Sequence, residues 1–174
     1  MKTMLRILDA DIHLIDLETR LPFKYGIATM TSAPHAFVRV RLEVDGKLST
    51  GVAADHLPPK WFTKVPDKPL DDEIDEMLQV IEHAVDIAQG LKAEAVFDLY
   101  RELDEQQEAW ARRFGFPPLL SHFGTSLVER AAIEAFARST GQSFSRLARE
   151  NALGIRLGEF DPRLEGQSPG DLLP

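Results

Sequence analysis

The sequence predicts an α+β fold, a three-stranded antiparallel meander followed by a helical bundle. Three observations carry that expectation. From Phe37 to Asp45, the apolar Val38, Val40, Leu42 and Val44 alternate with Arg39, Arg41 and Glu43, the period of a sheet with one buried and one wet face. From Ile74 to Ala88, apolar residues recur at spacings of four and three, the stripe of an amphipathic helix. All the strand-like segments precede the helix-like ones, an order that separates a sheet layer from a helix layer.

The first strand is expected over Ile12–Glu18, leading into a loop from Leu21 to Thr31 that holds Phe23, Lys24 and Tyr25. The second strand is Phe37–Asp45. Asp45-Gly46 supplies the positive φ angles of a tight hairpin turn, and Leu48–Ala54 returns as the third strand. The stretch from Asp55 to Leu70 contains four prolines, which exclude a helix and make a poor strand. It is read as a long loop, with Trp61 and Phe62 inside it. Long loops in compact domains are usually functional or disordered.

Helices follow. Asp71 or Asp72 is placed to cap the first, with further acids at its positive end, and Gly90 stops it. That acidic run is read as capping plus a solvated face. The second helix runs from about Ala95 to Arg113, with Val96, Leu99, Leu103 and Trp110 inward. The third covers about Thr125 to Ser139, and its many small residues suit a tightly packed central helix. Gly141 ends it, and Ser143 opens a short fourth helix to about Glu150. Residues 1–160 are expected to form one domain. Residues 161–174, rich in Gly, Pro and acids, read as an extended linker.

Composition narrows the function. A net charge of −8 disfavours binding to a phosphate backbone or an anionic membrane, both of which call for clustered Lys and Arg. The absence of cysteine excludes disulfides and thiolate metal sites. Nothing asks for an oxidising compartment, and a cytoplasmic location is expected, without nucleic-acid or membrane partners. No phosphate-cradling glycine loop, dinucleotide fingerprint or nucleophile elbow occurs. The five histidines show no pair four residues apart and no flanking acidic motif, so each reads as a surface or hydrogen-bonded side chain. On the residues alone, this is an α+β domain with no active site of its own: no catalytic residue and no metal ligand.

One set of short motifs in order carries more. Arg20-Leu21-Pro22-Phe23 opens the first loop, Val44-Asp45-Gly46 turns the hairpin, and Glu129 to Phe136 followed by Gly141-Gln142-Ser143-Phe144 makes an alanine-rich helix, a turn and a short helix. This series resembles the N-terminal capping domain of the enolase superfamily, in its mandelate racemase and muconate lactonizing enzyme branch. Where that family often has Gly-x-Gly-Glu on the third strand, this chain has Gly51-Val52-Ala53-Ala54-Asp55.

The resemblance implies a function. Such caps close two loops over the mouth of a C-terminal barrel, which carries the lysine or histidine bases and the three carboxylates for magnesium. No residue here matches that machinery, so magnesium is expected in a partner barrel of the same protein and not in this chain. Leu21–Thr31 and Asp55–Lys64 look like the two loops. Phe23, Tyr25, Trp61 and Phe62 would be apolar walls, and Lys24 or Lys60 would meet a small carboxylate substrate. The chain alone is expected to be inactive, its parent a magnesium-dependent lyase or isomerase: a dehydratase, racemase or cycloisomerase. A homo-oligomer is expected. The alternative is a free-standing binding or oligomerisation module without activity.

Overall fold

The computed structural model describes residues 3–26, 28–63 and 65–173. The fold is α+β, with a four-stranded antiparallel sheet in the order β3-β2-β1-β4. The strands are β1 (Leu5–Tyr25), β2 (Ala28–Val44), β3 (Lys47–His56) and β4 (Lys92–Ala93). Five α-helices follow the meander: α1 (Leu70–Ala88), α2 (Val96–Phe114), α3 (Pro118–Thr140), α4 (Phe144–Arg149) and α5 (Pro169–Leu172). No helix among the described residues is long and apolar enough to cross a membrane.

The alternation in β2 does what its period requires. Val38, Val40 and Leu42 are fully buried, while Arg39 and Arg41 face out and pair with Asp11 and Asp9 on β1. On β1, Leu5 and Ile7 belong to the same core, and a register shift between Ile7 and Asp9 passes the inward role to Ala10. The helical layer lies on this face, and α3 approaches β3 closely at Gly51. A Cβ there would stand 2.1 Å from the Ala131 carbonyl oxygen and 2.4 Å from the Ala135 nitrogen. Gly124 allows the same intimacy between α3 and α1, where a Cβ would lie 2.1 Å from the Val80 carbonyl oxygen.

Several expectations are corrected. The first two strands are much longer than expected, so most of Leu21–Thr31 belongs to a hairpin arm rather than a loop. Irregularity survives inside the arm: pairing runs to Glu18↔Ser32, lapses across the Thr19–Pro22 bulge, and resumes at Phe23↔Met30, Lys24↔Thr29 and Tyr25↔Ala28. Pro22 has no N–H for a ladder, and the Thr19 hydroxyl bridges the gap by donating towards the Thr31 carbonyl at 3.1 Å. Ile27 and Lys64, which the two expected loops include, lie outside the described residues.

In the helical half, α3 starts at Pro118 rather than Thr125, because Pro at the first turn costs no internal hydrogen bond. Pro69, not an aspartate, occupies the N-cap of α1. Glu73 of the acidic run is buried at 4% exposure rather than solvated. The tail is not extended: it holds 3-10 turns at Leu157–Glu159 and Pro162–Leu164 before α5.

Candidate functional site

A cavity of about 560 Å³ opens where three elements converge: the far end of the hairpin, the segment after β3, and the first turns of α3. That volume suits a small molecule, for which pockets of roughly 300–1,000 Å³ are usual. Each element reaches it for a local reason. The hairpin arm projects beyond the core because β1 pairs with β2 without a break from Asp9 to Glu18 and again from Phe23 to Tyr25. The post-β3 segment is pinned at its start by Leu57, which is fully buried and donates its N–H to the Pro34 carbonyl at 2.9 Å. The α3 turns carry Leu119, His122, Phe123 and Ser126 into the wall.

Aromatic rings form one side. Phe23 and Tyr25 share a strand face and stack at 5.7 Å between centroids, and Tyr25 meets Trp61 at 6.1 Å. Phe23 and Trp61 remain 56% and 58% exposed, so neither is spent on the core. Phe62 packs on Phe123 at 4.9 Å and joins the wall to the core. The Tyr25 hydroxyl donates to the Pro59 carbonyl at 2.7 Å and thereby clasps the second segment to the hairpin. Burial, then the nearby Glu73 charge, raises that phenol above its usual range, so it stays a neutral donor.

The two expected lysines are placed elsewhere. Lys60 is 8% exposed, with its ammonium hydrogen-bonded to Glu73 Oε1 at 2.9 Å and to the Val65 and Lys68 carbonyls at 2.7 Å each. Its three protons thus have three acceptors, and its own N–H is held by Glu73 Oε2. A group so saturated straps the loop and has nothing left for a substrate carboxylate. Burial alone would raise the Glu73 carboxyl, but the hydrogen bonds and charge of Lys60, helped by Thr63, outweigh it and hold the group below its ordinary range. Lys24 lies on the strand face opposite Phe23 and Tyr25 and is not part of the cavity wall.

Imidazoles and one carboxylate supply the polar wall instead. His56 faces His35 across the β2–β3 ladder, with their Nδ1 atoms 2.5 Å apart. Burial first, then His56, pulls the His35 imidazole below its usual range, against the opposing charge of Asp55. Asp55 is itself paired with Arg130 at 3.1 Å. His122 holds Asp104 Oδ1 at 2.8 Å through Nδ1. No Lys or Arg lines the cavity among the described residues. His56 and His122 were dismissed singly from the sequence. The sequence offered only Asp104 and Glu108 one helical turn apart, on a face that His122 of the next helix comes to meet.

No family model matches the chain, and no curated protein sequence matches it. Solved structures do. An enolase from alpha proteobacterium bal199, with bound magnesium, is 18% identical with a TM-score of 0.54, over 78% of this chain and 32% of its own. A Bradyrhizobium enolase complexed with magnesium and mandelic acid gives 16% and 0.52, over 81% and 34%. A mandelate racemase/muconate lactonizing enzyme-like protein from Rubrobacter xylanophilus gives 16% and 0.51, over 78% and 31%. The chain has the fold of one part of these enolase-like proteins. It spans about a third of their length, and at these identities the likeness is one of fold.

Proposed function

We propose that this enolase-like domain caps the active site of an enolase-superfamily enzyme acting on a small carboxylate substrate. The observation that carries the reading is the aromatic-walled cavity, built jointly by the hairpin tip and the segment after β3, which are the two segments that the resemblance assigns to capping loops. The substrate carboxylate and the magnesium that polarises it belong, on this reading, to a barrel domain of the same protein. The cap contributes exclusion of water and recognition of the substrate's far end. Its wall is apolar and ring-lined, with imidazoles and no lysine or arginine, so it suits the apolar end of a substrate rather than its carboxylate. Excluding water strengthens every charge interaction across the closed site.

The test is kinetic, in the enzyme that carries this domain. Trp61→Ala removes a half-exposed wall and is expected to lower kcat/KM by about tenfold or more, the usual value of ~1–3 kcal/mol for an apolar contact. Magnesium affinity is expected to stay unchanged, since the cap touches substrate and not metal. Lys24→Ala is expected to behave as wild type. Unaltered kinetics in Trp61→Ala would remove the cavity from the substrate's path.

A further inference from the structure

Behind the cavity wall, and sharing His122 with it, lies a cluster whose two carboxylates the capping reading does not use. Asp104 and Glu108 sit one turn apart on one face of α2, and His122 reaches them from the second turn of α3. One ligand atom from each of these three side chains lies within 4.8 Å of the other two. We propose that Asp104, Glu108 and His122 bind a divalent first-row transition metal ion, of the zinc, cobalt or manganese type.

The donor set defines the class. One imidazole nitrogen with two carboxylate oxygens is a borderline set that suits Zn²⁺, Co²⁺ or Mn²⁺, whereas Mg²⁺ takes oxygen and retains its water. Three protein ligands leave a position open, as at sites where the metal meets water or a ligand. Asp104 is anchored in the protein, with its side chain 7% exposed and Oδ1 hydrogen-bonded to His122 Nδ1 at 2.8 Å, a contact that an ion replacing the shared proton would widen to about 3.4 Å. The 4.8 Å span slightly exceeds two metal–ligand bonds of about 2.1 Å each. Glu108 Oε1 now faces the other ring nitrogen, Nε2, at 3.6 Å and must rotate towards the Nδ1 side, which its long pair with Arg112, at 3.7 Å, allows.

The neighbouring arginines stand off from these carboxylates, with Arg112 3.7 Å from Glu108. Arg101 approaches Asp104 only to 3.8 Å and makes its closer pair, at 2.9 Å, with Glu159.

Metal binding can be read on the 174-residue chain itself, apart from any activity, so its outcome and that of the capping reading are separate. Calorimetric titration with Zn²⁺ is expected to show one equivalent bound with a micromolar or lower Kd. Co²⁺ is expected to develop visible ligand-field bands that excess Mg²⁺ does not bleach. Glu108→Gln and His122→Asn, both at partly exposed positions, are expected to weaken binding by about tenfold or more, with far-ultraviolet circular dichroism unchanged. His35→Asn, which removes the other close imidazole pair, is expected to bind as wild type. A chain that takes up neither ion, binding that survives His122→Asn, or binding lost in His35→Asn would each overturn the assignment.

Discussion

Lys60 shows how one side chain can be recruited by the fold away from the surface. Its backbone adopts a left-handed φ of 62°, and its ammonium is saturated by Glu73 and two carbonyls. A buried pair of this kind adds little net stability, but breaking it strands a charge. Lys60→Met is therefore expected to cost about 3–5 kcal/mol in urea unfolding, and adding Glu73→Leu is expected to recover most of that loss. A double variant as unstable as the single one would show that the loop needs the ions themselves. Because the Glu73 carboxyl is held low in the fold, its contribution is present above the unfolded value of about 4.3 and is lost as pH falls through the folded value. His35 has the opposite chemistry. Its imidazole is held low by burial and by His56, so below about pH 6.5 the unfolded chain binds more protons than the native one. Stability is expected to decline as pH drops from there, until the folded value is passed. His35→Asn is expected to flatten the denaturation midpoint over that range, and an unchanged slope would place the titrating group elsewhere.

At the scale of elements, the contact between α3 and β3 depends on Gly51 having no side chain. The atoms that a Cβ would strike, Ala131 O and Ala135 N, are both backbone, so no rotamer can give way. Gly51→Ala is expected to destabilise by about 1–3 kcal/mol by forcing the helix off the sheet, read as a lowered Tm. An unchanged Tm would mean that α3 slides without cost. Gly51 was visible in the sequence only as part of a motif, because a close approach is a property of two elements. The same limit explains which other features were legible. Val38 to Val44 and Ile74 to Ala88 announced their elements because one face of each is buried along its whole length. The hairpin arm did not, since Leu21 at 70% exposure and Phe23 at 56% give its far end no inward face to read. Its pairing comes from backbone ladders continuing out of the core. Trp61 and Tyr25, named from their chemistry, stand in the cavity wall. Lys60 and Glu73 misled because nothing local reveals that residues thirteen apart will bury each other.

At the scale of the whole molecule, the least protected feature is the outer edge of β1. β4 and the residues just before it cover that edge only as far as Ile7, leaving a long run of backbone groups beyond without a ladder partner in the described sheet. Leu14, Ile15 and Leu17 sit along this run at 48%, 45% and 37% exposure. An exposed apolar edge is a template for another strand. The chain also carries the usual defence, because Asp9 and Asp11, held by Arg41 and Arg39, and Asp16 and Glu18 line the same strand and would crowd an edge-to-edge pair with like charge. Two opposing effects therefore set the outcome, and salt separates them. Repulsion between exposed carboxylates is screened beyond about 10 Å at 0.1 M salt and beyond about 3 Å at 1 M, while apolar contact is not weakened. Sedimentation velocity is expected to find the chain largely monomeric at low ionic strength and associating as salt is raised. Ile15→Lys adds a charge at the centre of the edge and is expected to suppress that association without lowering Tm, since Ile15 points to the wet face. Association that persists in Ile15→Lys would move the contact to another surface, and a monomer at every salt concentration would show that the aspartates and the strand's twist are defence enough.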